Sequence, residues 1–182
     1  MSNEYINEFL RLKCAPELIE WKIYPNVKEI TESMGCYHAV LENIVDKGLA
    51  KLNDPTINLI SVGDGCTPRT AALFAMRSAW QCWSIDPNMN DKSYNQIKRL
   101  YIEKRKIEDG VMNFPGIAII VCVHSHAKMG DILNHINAPV MHLVTIPCCV
   151  PHELDNVQYI GYSDRRIKSE KREVKIWLNV KR

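Results

Sequence analysis

The segment Leu59 to Pro87 most constrains the fold of this chain, because two short apolar runs alternate there with a glycine loop and a helical pattern. In order, its parts are a strand (58–62), the loop Gly63-Asp64-Gly65, a helix opening at Thr67-Pro68 and ending near Ser78, and a strand (81–85) closed by Asp86-Pro87. Threonine followed by proline is typical of an N-cap and a first helical residue. Short apolar runs bounded by turns are typical of buried parallel strands. The segment therefore predicts a strand–helix–strand unit.

The rest of the chain continues this alternation. Apolar residues recur at three- and four-residue steps over 27–52, which predicts an amphipathic helix that ends at Asn53-Asp54-Pro55. Before it, residues 1–26 predict short helical turns, because Pro16 and Pro25 interrupt the pattern. The elements predicted downstream are a polar helix or turn at 92–97, strands at 100–107, 116–123 and 140–146, a helix at 127–136, and an antiparallel pair of strands at 157–162 and 174–180.

Together these elements predict an α/β fold. We expect a Rossmann-like three-layer sandwich of about seven strands, mostly parallel with an antiparallel edge, and with helices on both faces of the sheet. A length of 182 residues is typical of one domain. In that single domain, 1–182, a helical segment (1–54) would pack on the sheet core (57–182).

The composition excludes several other classes of protein. Hydrophobic residues make up 46% of the chain and charged residues 24%, as in soluble globular proteins. The first residues, Met1-Ser2-Asn3-Glu4, are polar, and no run of about 18 apolar residues follows, so we expect neither a signal peptide nor a membrane span. The seven cysteines lack paired spacing and do not indicate a disulfide framework, which favours a reducing, cytoplasmic location.

The glycine loop and the acid that follows the second strand predict a cofactor site. Gly63, Asp64 and Gly65 lie between a strand and a helix, where backbone can approach a ligand and helix amides suit a carboxylate or phosphate. Asp86 follows the second strand, where an acid can accept both ribose hydroxyls. The alternative is that the glycines only permit a tight turn and that Asp86-Pro87 only ends a strand. The pair of features favours an adenosine-containing ligand.

The string Ser61-Val62-Gly63-Asp64-Gly65-Cys66-Thr67 resembles the first motif of the class I S-adenosylmethionine-dependent methyltransferases. That motif has an acid, any residue, and then Gly-x-Gly-x-Gly, so Ser61 replaces the acid and Thr67 replaces the third glycine. The resemblance implies that Asp86 holds the ribose and that Asp64 substitutes in contacting the methionine amino group. Arg69 would pair with the methionine carboxylate or a phosphate, or else be a surface arginine.

A second part of the chain resembles members of the same family that lack an Asn/Asp-Pro-Pro-Tyr motif. They have a strand, a histidine-containing turn, a helix, and a strand ending in Pro-Cys-Cys. The corresponding elements here are His124-Ser125-His126 after a strand, a helix, and Pro147-Cys148-Cys149 after the next strand. The likeness covers about Asn58 to Leu154. It implies an atypical member of the family, with Gly63, Asp64, Gly65, Thr67, Arg69, Asp86 and Pro87 as cofactor-binding candidates.

The turn His124-Ser125-His126 is the catalytic candidate. It follows a strand at the carboxyl edge of the predicted sheet, where ligands of open α/β sheets bind. In a methyltransferase this turn faces the methyl group, so either histidine could position a substrate or take its proton. The alternative is a histidine that fixes a loop.

Cys148, Cys149 and His152, with His124 and His126 nearby, contain atoms that bind zinc. Adjacent cysteines, however, are expected to point in different directions, and no CxxC pair accompanies them. We therefore predict no metal site, and buried packing for the cysteines.

These features favour a methyltransferase that uses S-adenosylmethionine to methylate a small molecule or RNA. The basic segment Arg165 to Arg182 offers a route to RNA phosphates or to a protein partner, although such residues are usually a solvated face. A catalytically inactive scaffold protein is the first alternative, because Ser61 and Thr67 depart from the motif. A dinucleotide oxidoreductase or a different reaction on S-adenosylmethionine are the others.

Overall fold

In the computed structural model, which describes residues 3–180, the predicted apolar runs pair into a seven-stranded sheet. The strands are β1 (Asn58–Val62), β2 (Gln81–Ile85), β3 (Leu100–Glu103), β4 (Met112–Asn113), β5 (Ile117–Val123), β6 (Ile136–Asn137), β7 (Val140–Ile146), β8 (Ile160–Ser163) and β9 (Glu173–Val180). The sheet order is β3-β2-β1-β5-β7-β9-β8, and β4 pairs separately with β6. The first five strands of that order are parallel, whereas β9 and β8 are added antiparallel.

The helices cover both faces of this sheet, which confirms the predicted fold class. They are α1 (Glu4–Arg11), α2 (Ala15–Glu20), α3 (Val27–Val40), α4 (Arg69–Arg77) and α5 (Met129–His135). On one face α1 to α4 bury a large core that includes Phe9, Phe74 and Trp80. On the other face α5 packs with a short 3₁₀ turn (Ile107–Asp109) over a smaller core around Trp177.

The chain order of the strands produces a crevice between β1 and β5. From β1 the chain moves outward through β2 to β3, and it then returns to the other side of β1 with β5 and β7. Connections that leave in opposite directions open a gap at the carboxyl ends of the two central strands, which is where ligands of open α/β sheets bind. The glycine loop follows β1, and the histidine turn follows β5, so both reach this crevice.

Several predicted boundaries are wrong, and side-chain hydrogen bonds account for two of them. The helix predicted over 27–52 is α-helical only to Val40, and a π-helical turn (Leu41–Val45) follows. There the side-chain amide of Asn43 donates to the carbonyl of Ala39, the acceptor of a regular helical bond. The next helix begins at Arg69 after Pro68, so Thr67 is not its N-cap; the hydroxyl of Thr67 instead donates to the carbonyl of Ile23.

Other differences concern short or polar elements. The strand predicted at 100–107 ends at Glu103, and the strand predicted at 157–162 covers Ile160–Ser163. Of the helix or turn predicted at 92–97, the structure has turns. The pairing of β4 with β6, two residues each, was not predicted, because two-residue strands carry no periodic pattern.

The amino-terminal helix is attached to the far edge of the sheet through Asp164, in the connection between β8 and β9. The hydroxyl of Tyr5 donates to its carboxylate at 2.5 Å, and the guanidinium of Arg166 donates to both carboxylate oxygens. Arg166 also stacks on the ring of Tyr5, 4.5 Å from its centroid. Burial alone would raise the pKa of Asp164, but the hydrogen bonds from Arg166 and Tyr5 outweigh burial and lower it below its ordinary value.

We predict that Asp164→Asn lowers the free energy of unfolding by about 1–3 kcal/mol at pH 7, because the three charge-assisted hydrogen bonds from Tyr5 and Arg166 weaken. The native carboxyl has a lower pKa in the folded than in the unfolded chain, so its contribution is complete above about pH 4 and disappears as the pH falls through the folded pKa. Urea titrations of both proteins between pH 7 and pH 3 measure this. The exposed Asp155→Asn is the control; an equal loss in both variants, or a loss independent of pH, contradicts the assignment.

Candidate functional site

The glycine loop after β1 is shaped by the close approach of two backbones. Gly63 has a φ of +75° and Gly65 a φ of +89°, which glycine adopts without strain. The amide of Gly63 donates to the carbonyl of Ile85 at 2.8 Å. A Cβ on Gly63 would lie 2.7 Å from the Cβ of Ser125 and 2.9 Å from its Cα. Only glycine at this position lets the loop and the histidine turn touch.

Asp86, at the end of β2, is fixed against the same loop. Its Oδ2 accepts from the amide of Gly65 at 2.8 Å, and its Oδ1 accepts from the amide of Asn88 at 2.7 Å. Its side chain is oriented by these bonds and is nearly buried, with the residue 7% exposed. A carboxylate has about four acceptor positions, so each oxygen retains one for a ligand hydroxyl.

Asp64 points into the protein interior, away from the crevice. Its Oδ1 accepts from the amide of Thr70, and its Oδ2 accepts from the amide of Ala71 and the hydroxyl of Ser84. The residue is 1% exposed. Asp64 therefore caps the first turn of α4, and the helix amides expected to bind a ligand carboxylate are already satisfied.

Arg69 lies over the glycine loop. Its Nε donates to the carbonyl of Asp64 at 2.7 Å, and one terminal nitrogen, Nη1, lies 2.7 Å from the carboxylate of Glu29. The other, Nη2, covers Gly65, where a Cβ would meet it at 2.7 Å. The side chain is therefore an ordered cation at the edge of the crevice, and its pairing with Glu29 of α3 was not predicted.

The turn after β5 holds His124 in a left-handed conformation, with a φ of +54°. Its Nε2 lies 3.0 Å from the carbonyl oxygen of Lys171, and its Nδ1 lies 3.3 Å from a carboxylate oxygen of Glu32. Each ring nitrogen thus faces an oxygen acceptor. Ser125 is buried, and its hydroxyl accepts from the amide of Ala127.

Glu32 was missed by the sequence reasoning. It lies on α3 and is 2% exposed, and its Oε1 lies 3.6 Å from the ammonium group of Lys28 and 3.3 Å from Nδ1 of His124 without a hydrogen bond among the described residues. A buried carboxylate is costly unless it is paired, so its partner at the crevice is structurally important. The sequence feature that could have identified Glu32 is its position one turn into a helix that is predicted to pack on the sheet. Its neighbours Thr31 and Ser33 are also buried.

His126 and the two adjacent cysteines form a cluster. The Sγ atoms of Cys148 and Cys149 are 3.6 Å apart, and the Sγ of Cys149 lies 3.2 Å from Nε2 of His126. The expectation that adjacent cysteines point in different directions is therefore wrong, because the tight turn after β7 brings both thiols to one side. The hydrogen bond with Cys148 raises the pKa of the Cys149 thiol. His152 is fully buried outside this cluster, and burial lowers its pKa.

A cavity of about 400 Å³ lies at the crevice and collects most of the predicted site residues. The predicted residues that line it are Gly63, Gly65, Arg69, Asp86, Pro87, His124, Ser125 and His126. Asp64 and Thr67 do not line it. The cavity also has a wall that was not predicted, formed by Asn88 and by residues 105–108 after β3. The sequence analysis placed 105–107 in a strand, so their position at the crevice was not recognised.

Comparison with solved structures supports this topology. A mutant of MtNAS, a nicotianamine synthase, superposes on 98% of this chain and 69% of its own with a TM-score of 0.54 and 11% identity. MtNAS in complex with MTA and tNA gives a TM-score of 0.52 with the same identity and coverage.

The likeness shows the fold alone. At these identities the similarity does not show which ligand this chain binds or which reaction it catalyses. The sequence matches no family model and no curated protein. Within residues 3–180, no helix has both the length and the apolar character that crossing a membrane requires.

We predict that Gly63→Ala lowers the free energy of unfolding by about 2–4 kcal/mol, because a left-handed alanine is strained and its methyl overlaps the backbone of Ser125. Gly130→Ala is the matched control. No atom lies within 4 Å of an added Cβ there, and Gly130 is helical, so we expect a gain of about 0.4–1 kcal/mol. Urea unfolding followed by circular dichroism measures both, and equal effects would contradict the close approach.

Proposed function

We propose that this chain binds S-adenosylmethionine in the crevice cavity and transfers its methyl group to a small molecule. The observation that carries the proposal is the meeting of Asp86 and the glycine loop at the carboxyl ends of β1 and β2. A volume of about 400 Å³ is within the range of small-molecule sites. The resemblance of the loop to the methyltransferase motif selects this cofactor among adenosine-containing ligands.

The residues of the cavity fit the parts of this cofactor. The unused acceptor positions of Asp86 would receive the two ribose hydroxyls. Ile85 and Ile107 provide apolar wall beside Asp86, which suits an adenine ring. The absence of side chains at Gly63 and Gly65 leaves room for the methionine part against the loop. Arg69, an ordered cation beside Gly65, would attract the methionine carboxylate.

The histidine turn would face the acceptor on the opposite side of the glycine loop. When bound, S-adenosylmethionine supplies a methyl group activated by its sulfonium charge. The chain would then contribute mainly by orienting the acceptor for in-line attack. His124 suits an orienting role, because its ring is held between the carbonyl oxygen of Lys171 and the carboxylate of Glu32.

Ion pairs made by the basic segment Arg165 to Arg182 favour a small molecule over RNA as the methyl acceptor. Arg166 is held by Asp164, and Lys175 is nearly buried with its ammonium group 3.7 Å from Glu153. Lys181 and Arg182 lie outside the described residues. Cations that are paired within the chain neutralise fewer phosphates, so Arg166 and Lys175 contribute less to an electrostatic surface for RNA than the composition of the segment predicts.

We predict that calorimetric titration gives micromolar affinity for S-adenosylmethionine and S-adenosylhomocysteine. Asp86→Ala should weaken both about 10–100-fold, because the two hydroxyl contacts are lost and the loop loses its bond to Gly65. Asp91→Ala is the control, since its side chain is 88% exposed and pairs only with Lys104. Binding of NAD in place of the two named ligands would favour an oxidoreductase, and binding of none would favour a scaffold protein.

We predict that His124→Ala and His126→Ala each lower methyl transfer while leaving the affinity for S-adenosylmethionine within about threefold. Loss of orientation at the acceptor side costs on the order of 100-fold in rate. The assay follows tritium from the labelled methyl group into the small-molecule and RNA fractions of a cell extract. His135→Ala, whose ring bonds only the carbonyl of Asp131, serves as the control. Unchanged transfer in both variants refutes the role of the turn, and label in RNA alone refutes the small acceptor.

A further inference from the structure

We propose that His126, Cys148 and Cys149 bind one zinc ion at the mouth of the crevice. One ligand atom from each side chain lies within 4.8 Å of the others. Two sulfurs and an imidazole nitrogen are the donor set that zinc prefers, and they also accept cobalt. Within residues 3–180, this is the cluster of histidine, cysteine and acidic side chains with the spacing of a metal site.

The distances are close to those of a tetrahedral zinc site. Zinc binds sulfur at about 2.3 Å and nitrogen at about 2.0–2.1 Å, so tetrahedral ligands lie about 3.8 Å apart for two sulfurs and about 3.5 Å apart for sulfur and nitrogen. The structure has 3.6 Å between the two Sγ atoms and 3.2 Å between Cys149 and His126. These two pairs need shifts of a few tenths of an ångström, and the third pair, Cys148 and His126, lies within 4.8 Å and would have to close by at most about 1.3 Å.

The backbone holds the three side chains together without the ion. β5 and β7 are paired up to Val123 and Ile146, so the turns that follow these strands leave the sheet side by side. The Sγ of Cys148 lies 3.5 Å from the carbonyl oxygen of His124, which places the cysteine turn directly against the histidine turn. A site on two paired strand ends is more rigid than one built on a free loop.

The position of the cluster indicates what the ion would do. Three protein ligands leave a fourth position for water or substrate, as in catalytic zinc sites. His126 lines the crevice cavity, whereas both cysteines line a neighbouring groove of about 540 Å³. The ion would thus bind the sulfur of a small thiol acceptor as its thiolate, with the thiol proton released to water, because thiolate sulfur is a ligand that zinc prefers. This last step rests on the proposed methyl transfer, whereas binding of the ion does not.

The test is a titration of the reduced full-length protein with Co²⁺ alone, followed by displacement with Zn²⁺. We expect one equivalent to bind, with the intense visible bands of tetrahedral cobalt and a near-ultraviolet thiolate charge-transfer band. Cys148→Ser, Cys149→Ser and His126→Ala should each weaken binding by about 100-fold or more, and the serine variants should reduce the charge-transfer band. Cys66→Ser removes another exposed thiol and should change neither measurement.

Two results overturn the metal site: a cobalt spectrum without the thiolate band, or an affinity that is the same in the wild type and in Cys148→Ser. Binding of S-adenosylmethionine is measured separately by calorimetry on the same preparations. A protein that binds cobalt through both cysteines but does not bind S-adenosylmethionine retains the metal site and refutes the methyl-transfer proposal. A protein with the reverse behaviour retains the proposed function and refutes the metal site.

Discussion

The buried carboxylate of Asp64 is the interaction on which the crevice depends. It joins the loop after β1 to the first turn of α4 and to Ser84 on β2, and it does so with three hydrogen bonds inside the core. A carboxyl group at 1% exposure is tolerated because these donors replace water. With Asp64 so fixed, Gly65 is placed to meet Asp86, and Gly63 is placed to meet Ser125.

Helix α3 contributes a second set of contacts that stabilise the site from the helical layer. Glu29 pairs with Arg69 on one side of the crevice, and Glu32 lies against His124 on the other. Both acids are on the first turns of a helix whose other residues pack on the sheet. Because a buried acid that loses its partner is strongly unfavourable, the positions of Arg69 and His124 are coupled to the docking of α3. The amino-terminal helices are thus part of the site as well as of the core.

The sequence was sufficient for the central parallel strands and for the part of the cavity wall formed by the glycine loop, Asp86 and the histidine turn, since a buried strand is an uninterrupted apolar run and parallel strands end at one edge. β7 was predicted with its observed bounds, and both the glycine loop and the histidine turn were placed at the crevice. The sequence did not predict the directions in which the polar side chains point. Asp64 turns inward and Asp86 faces the cavity, although each follows a strand of the same sheet. Glu32 and His124 lie on segments that are distant in the sequence, so no local sequence pattern could predict their contact.

The distribution of charged side chains at the crevice affects the rate of the proposed methyl transfer. Methyl transfer removes the positive charge from the donor sulfur, so an unpaired carboxylate beside it would stabilise the bound donor more than the transition state and slow the reaction. Asp64, Glu29 and Glu32 do not line the cavity, and Glu108, which does, lies 3.9 Å from the ammonium group of Lys106. Asp86 retains acceptor capacity, but it lies at the end of β2, where it would meet a ribose and not the reacting sulfur. A crevice arranged in this way can hold a cationic donor without stabilising its charge at the place where that charge must disappear.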